Sequence, residues 1–153
     1  MPEIANNKQA YLDYEVMETY EAGIVLEGQE VKSAKESHVS LKGAFVTFKF
    51  GKKSPEAFVT NMHISPYPKA GPMFSYDPTR PRKLLLKRKE LIYIYSKMQE
   101  KGLTIIPLKV YTKANRIKLE IGLCRGRKKY EKKEVIKKRE VERQMREDMK
   151  IRS

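Results

Sequence analysis

The sequence predicts a mainly β protein: an OB-like closed antiparallel barrel of about six strands with up to three helices, followed by a basic C-terminal tail that is disordered when free. Three observations carry this expectation. Short apolar–polar alternations recur along the first 124 residues, with glycines between them, which is the pattern of short strands covering a core on one side. A small sheet of such strands removes its exposed edges by closing on itself. The last 29 residues, Arg125 to Ser153, hold 13 Lys+Arg against 6 Asp+Glu, so they carry +7 of the net +14. A segment so charged cannot bury enough apolar surface to fold alone, yet it can order itself on a polyanion. The expected organisation is a barrel at 1–124 and a tail at 125–153.

The elements follow in order. Tyr14 and Val16 alternate and lead into the apolar run Ile24-Val25-Leu26, a strand or bent strand pair punctuated by Gly23 and Gly28. Val31 and Ala34 share a face, giving a short helix over Glu30–Ser37. Val39-Ser40-Leu41 alternates, Gly43 breaks it, and Ala44–Phe50 alternates again. Gly51–Pro55 is a turn and Ala57–Ile64 the returning strand of a hairpin. Ser65–Pro81 holds Pro66, Pro68, Gly71, Pro72, Pro78 and Pro81, which forbid regular structure and leave a long loop of the kind that binds ligands. Lys87–Lys101 has helical spacing, with Leu91, Ile94, Tyr95 and Met98 on one face and Gly102 as the closing residue. Leu103–Tyr111 and Arg116–Leu123 form a hairpin around Lys113-Ala114-Asn115. Pro107 puts the first of these at an edge or a bulge, and Gly122 suggests another bend.

Length and composition narrow the function. A core of about residues 8–124 buries roughly two-thirds of its unfolded surface, enough for independent stability. The single cysteine, Cys124, excludes an intrachain disulfide and fits a reducing cytosol. No signal-peptide core and no run of ~20 apolar residues is present, so the expectation is a cytoplasmic chain with no membrane partner. A basic chain could bind acidic lipid, but Val141, Met145 and Met149 make only a narrow apolar stripe on the tail. His38, His63 and Cys124 have no ligand spacing, so no metal is expected. No Gly-rich phosphate cradle and no acid–base pair is visible, so neither cofactor nor catalytic residue is assigned and the chain is read as a non-enzyme.

The basic clusters are the candidates for function. Arg80, Arg82 and Lys83, then Lys87, Arg88 and Lys89, flank Leu84-Leu85-Leu86, as in a loop and helix start whose charged heads reach out while the leucines anchor. The other reading is a solvated face. Arg125-Gly126-Arg127-Lys128-Lys129 is denser and can neutralise phosphates, with Gly126 letting the backbone follow an RNA contour and Tyr130 placed to stack on a base. Glu21 is either part of a core-supporting ion pair or an acceptor for a base amino group on an RNA-facing surface.

Five blocks in order also resemble a known family. They are Glu18 to Leu26 with Gly28-Gln29-Glu30-Val31-Lys32-Ser33; Asn61-Met62-His63-Ile64-Ser65-Pro66-Tyr67; Asp77-Pro78-Thr79-Arg80-Pro81-Arg82-Lys83-Leu84-Leu85-Leu86; Gln99 to Leu108; and the Gly126 cluster with Tyr130, Lys132 and Lys133. Over about residues 7 to 145 the chain is similar to the SmpB family, the SsrA-binding proteins of bacteria. The resemblance implies a non-enzymatic adaptor that binds the tRNA-like domain of tmRNA, and the chain is expected to act as a monomer. It implies delivery, with elongation factor Tu acting indirectly, to a ribosome stalled on a message lacking a stop codon. The barrel would stand in the small-subunit decoding centre and the tail would fold in the vacant mRNA channel.

The family's recognition Glu matches Glu21, the recognition positions in and after the leucine run match Leu85 and Lys87, and basic positions on the last strand match Lys118 and Arg125. The tail elements match Gly126-Arg127-Lys128 and Glu131-Lys132-Lys133. The chain departs from the pattern at Lys87, where His or Asn is usual, at Arg127, a planar fork for a point charge, and at Leu12, where His is common. The competing expectation is a constitutive rRNA-binding OB-fold ribosomal protein. A nuclease is disfavoured for want of any acid–base or metal constellation.

Overall fold

The structure is a computed structural model that describes residues 2–51, 54–70 and 76–152. Its elements are β1 (Glu3–Asn6), α1 (Lys8–Asp13), β2 (Tyr14–Ile24), α2 (Gly28–Lys35), β3 (Val39–Ser40), β4 (Phe45–Phe50), β5 (Pro55–Thr60), β6 (His63–Ile64), β7 (Arg82–Leu85), α3 (Arg88–Lys101), β8 (Thr104–Lys113), β9 (Arg116–Gly126) and α4 (Lys129–Arg152), with one 3-10 turn at Pro68–Ala70. Seven strands form one antiparallel sheet in the order β1-β8-β9-β2-β7-β5-β4, and β3 pairs with β6 apart from it.

The closed barrel is overturned. The ladder ends at β1 on one side and β4 on the other, and these edges do not bond to each other. Closure needs a strand that bonds both edges. The segment before β4 supplies only Val39–Ser40, whose groups are taken by β6, and Gly43 (φ 73°) then turns the chain. Register shifts lie between Val16 and Glu18 of β2 and between Pro107 and Lys109 of β8, and bulges of this kind bend a strand. Pro107 thus lies at a bulge, in a strand that is central rather than an edge.

Among the described residues the strands number nine rather than about six, and the α-helices four rather than up to three. The unforeseen α1 begins where the Asn7 side chain accepts from Ala10 N at 3.3 Å. The segment expected to be disordered is the helix α4. From Lys129 it contains no Gly or Pro and is rich in Glu, Lys, Arg, Gln and Met, all strong helix formers. Of the clusters flanking the leucines, Lys87–Lys89 do stand at the start of α3, but Arg82 and Lys83 lie in the strand Arg82–Leu85 between β2 and β5 rather than in a loop.

The expected hairpins are present. β4 pairs β5 from Phe45↔Thr60 to Phe50↔Pro55, and β8 pairs β9 around Ala114 (φ 50°) and Asn115 (φ 63°), whose left-handed backbones suit a tight two-residue turn. The helix α3 starts with Lys87 N donating to Glu90 Oε1 at 3.2 Å and ends at left-handed Gly102. Gly51–Pro55 and Ser65–Pro81 are only partly described, since Lys52, Lys53, Gly71 and Pro72 lie outside the described residues.

Period-2 geometry gives each strand an inner and an outer side. Ala22, Leu84, Leu119, Ile121 and Val59 point inward and meet Ile94 of α3 in the main core. A smaller apolar cluster, Ala10, Ile106, Leu108 and Cys124, sits under α1 on the other side. Gly122 belongs to this second packing rather than to a bend. A Cβ there would stand 2.8 Å from Leu108 Cδ1, so the strand and Leu108 meet at a distance only glycine permits.

Candidate nucleic-acid interface

The outer side of the sheet gathers three of the predicted residues. Gly23 of β2 pairs with Leu85 of β7 on one flank and with Lys118 of β9 on the other, and Lys118 pairs in turn with Tyr111 of β8. Cross-strand neighbours share a face, so Leu85, Lys118 and Tyr111 form one row. Leu85 is 55% exposed, whereas Leu84 beside it is buried, because adjacent strand residues face opposite ways. Gly23 leaves room for Leu85: a Cβ there would lie 3.2 Å from Leu85 Cβ. Around this row Gly23, Ile24, Leu26, Val31, Leu85 and Lys118 line a shallow groove of about 310 Å³.

Glu21 lies two residues from Gly23 on the same side. Its Oε2 accepts from the Tyr111 hydroxyl, and Lys113 Nζ lies 3.3 Å from Oε1. These hydrogen bonds, Tyr111 first, hold the Glu21 carboxyl below the ordinary carboxylate range, and burial pushes the Tyr111 phenol well above its own. The residue opposite Glu21 is Glu120, a like charge across the ladder. Glu21, Glu120, Glu3, Lys109 and Tyr111 border a groove of about 550 Å³. Of the two readings of Glu21, the ion pair is present, to Lys113, but it stands on the outer face of the sheet, where the carboxylate is also open to an RNA group. Tyr111 and Lys113 were not singled out from the sequence, although the alternation Lys109-Tyr111-Lys113 puts them on one face of a strand.

The cluster before the leucines divides. Arg82 has no exposure: it donates through Nε to Glu30 Oε2 at 2.7 Å, and its Nη atoms reach Met62 O at 2.6 Å and Pro78 O at 2.9 Å. Arg80 also pairs with Glu30, which in addition accepts from its own helix's Glu27 N at 2.9 Å. Burial would raise the Glu30 carboxyl, but these donors outweigh it and hold it low. Arg82 is therefore unavailable to a phosphate, and Arg80 is largely engaged. Together they clamp the end of the 65–81 loop to α2, with the Tyr76 hydroxyl donating to Ile64 O at 2.7 Å. Lys83 and Lys87 remain outward, Lys83 at 3.9 Å from Glu56 and Lys87 at the start of α3.

Arg125 stands apart from the Glu21 row, seven residues farther along β9, or about 23 Å at ~3.3 Å per residue. It bonds Glu15 at 2.8 Å and Glu131 at 2.9 Å. Gly126 ends β9 opposite Tyr14. Arg127 donates from its backbone to Asp13 O at 2.8 Å and from Nε to Tyr14 O at 3.1 Å, while Lys132 pairs with Asp13 at 3.2 Å. The first turn of α4 is thus tied to the end of α1. Lys128, Lys129, Tyr130 and Lys133 are exposed, and from Ile136 to Lys150 no described side chain of α4 is covered.

Cys124 is buried, and burial pushes its thiol up to about 11, which suppresses the reactive thiolate. His63 lies exposed on β6 opposite Ser40. Among the described residues no group of His, Cys, Asp and Glu converges as a metal site, and no helix is long and apolar enough to cross a membrane.

Comparison with known proteins gives a consistent answer. Residues 4–151 match the family model described as SmpB protein. The SsrA-binding protein of Persephonella marina is 51% identical over 142 residues, covering 93% of this chain and 90% of its own. That of Coprothermobacter proteolyticus is 48% identical over 153 residues, or 99% of each. A solved structure described as "tmRNA-SmpB: a journey to the center of the bacterial ribosome" superposes with a TM-score of 0.67 at 41% identity, covering 89% of this chain and 95% of that one.

Proposed function

Because the chain belongs to the SmpB family, we infer that it is the tmRNA-binding adaptor of trans-translation, which delivers tmRNA to stalled ribosomes and places its C-terminal helix in the empty mRNA channel. The observation that best supports this reading is the separation of two surfaces along β9. Leu85, Lys118 and Glu21 share one outward face near its start, and the tail helix departs from its end. This face offers shape, one apolar side chain, cations and a single oriented carboxylate, which is what reading a folded RNA elbow requires. Lys83 and Lys87 flank it as phosphate contacts.

The helix α4 has 24 residues and so reaches about 36 Å at ~1.5 Å per residue, long enough to enter a channel and be stopped by an occupant. Gly126 and Arg127 form its joint with the body, and Lys128, Lys129, Tyr130, Lys132 and Lys133 supply its basic base. The protein performs no bond chemistry in this role. It acts in the cytoplasm as a monomer, with elongation factor Tu joining through the tmRNA.

The test separates binding from rescue. A chain ending at Arg127 should bind a tRNA-like-domain transcript as tightly as the full chain, yet fail to support tagging on truncated messages in a reconstituted translation system. Normal tagging by the shortened chain would reject the role of the tail. Stoichiometric recovery with purified ribosomal subunits in the absence of tmRNA would point instead to a constitutive rRNA-binding protein.

A further inference from the structure

We propose that Tyr111 is the positioning residue that presents Glu21 to RNA, capping one carboxylate oxygen so that the other stands outward as a lone acceptor for a base amino group. The proposal deepens the reading of Glu21 as an RNA contact and rests on it.

A carboxylate is an unusual group to aim at a polyanion. On this face Glu120 stands directly across from Glu21, and like charges directly opposite are unfavourable. Something must hold it. Two donors reach it, Tyr111 on Oε2 and Lys113 at 3.3 Å from Oε1 and 3.4 Å from Oε2. They are not equivalent. The Lys113 side chain is 52% exposed, so its pairing exchanges with water and is weakened by salt. Tyr111 is 9% exposed, with its backbone held between Glu3 of β1 and Lys118 of β9. Its ring is therefore fixed, and its hydroxyl makes a charge-assisted bond in one direction only. Oε2 is spent on Tyr111. Among the described residues Oε1 keeps only the exchangeable lysine, and a carboxylate oxygen so placed accepts from an exocyclic amino group such as cytosine N4. The row Tyr111–Lys118–Gly23–Leu85 then acts as one unit: the tyrosine that pins Glu21 also lies beside the lysine and in line with the leucine that border the same RNA.

The experiment is a double-mutant cycle on the full chain with a transcript of the tRNA-like domain as probe. Tyr111→Phe should weaken binding about tenfold. Glu21→Ala should weaken it at least as much, and Glu21→Ala with Tyr111→Phe no further, whereas Lys113→Ala should cost less than about threefold. The Glu21 side-chain carboxyl carbon, followed by NMR in the free protein, should titrate at higher pH in Tyr111→Phe, with Lys113, Lys118, Lys109, Glu120 and Glu3 unchanged around it. An equal loss from Tyr111→Phe in the presence and absence of Glu21, or an unmoved Glu21 titration, would overturn the positioning role while leaving Glu21 in the interface. Unweakened binding by Glu21→Ala would reject the Glu21 reading itself, and the proposal with it.

Discussion

Arg82 and Glu30 pair at 2.6 Å with neither side chain exposed to solvent. An arginine that reads as a phosphate contact in the sequence is therefore a strut between β7 and α2. Removing one partner of a buried pair leaves the other charge uncompensated, which costs about 3–5 kcal/mol. Glu30→Gln should lose that much in urea unfolding at neutral pH. The sign with pH follows from the carboxyl being held low in the folded state. Its contribution is complete above the ordinary carboxylate range and disappears as pH falls through the lower folded value. The gap between wild type and Glu30→Gln should thus narrow on acidification, and a gap independent of pH would count against the pair.

Gly122 supports a second stability prediction. A Cβ at this position would sit 2.8 Å from Leu108 Cδ1, 3.2 Å from Cys124 Sγ and 3.3 Å from Val16 Cγ1. Leu108 and Cys124 are fully buried, so little can yield. Gly122→Ala should destabilise by about 1–3 kcal/mol through overpacking, despite the alanine's lower backbone entropy when unfolded. Calorimetry checks it, and a raised Tm would refute the close approach.

The outward row predicts loss of binding without loss of fold. Glu21→Ala combined with Leu85→Asp removes the oriented acceptor and sets a charge over Gly23. Both side chains are exposed, so stability should stay within about 0.5–1 kcal/mol and the circular-dichroism spectrum should not change. Affinity for the tRNA-like domain should fall at least about tenfold in a gel-shift titration. Equal shifts for both proteins would remove the row from the interface.

The tail base predicts a salt effect. Arg127 and Lys132 already hold Tyr14 and Asp13, so the cations free to meet phosphate are Lys128, Lys129 and Lys133. Changing these three to alanine should flatten the slope of log affinity for the ribosome against log salt by about 0.7–0.9 per lost contact. Association measured between 50 and 200 mM salt gives the slope directly.

Much of this architecture was legible beforehand. The hairpin around Ala114–Asn115, the helix closed by Gly102 and the strand pair from Phe45 to Thr60 each rest on local signals, namely turn residues, helical spacing and alternation. The apolar triple misled because Leu84, Leu85 and Leu86 read alike in one dimension. Only strand parity sends Leu84 inward and Leu85 outward. Tyr111 and Lys113 escaped notice for the opposite reason, being ordinary members of an alternating strand whose partner, Glu21, lies 90 and 92 residues away.

What the chain determined by itself was its charge asymmetry, its mainly β character, its helical segment before Gly102 and its family likeness, because these depend on composition and on neighbours a few residues apart. Whether the sheet closed, which arginine was buried and which carboxylate stood outward were decided only in three dimensions. A charged side chain takes its role from the partner that folding brings to it, and for Arg82 and Glu21 that partner comes from a distant strand or helix.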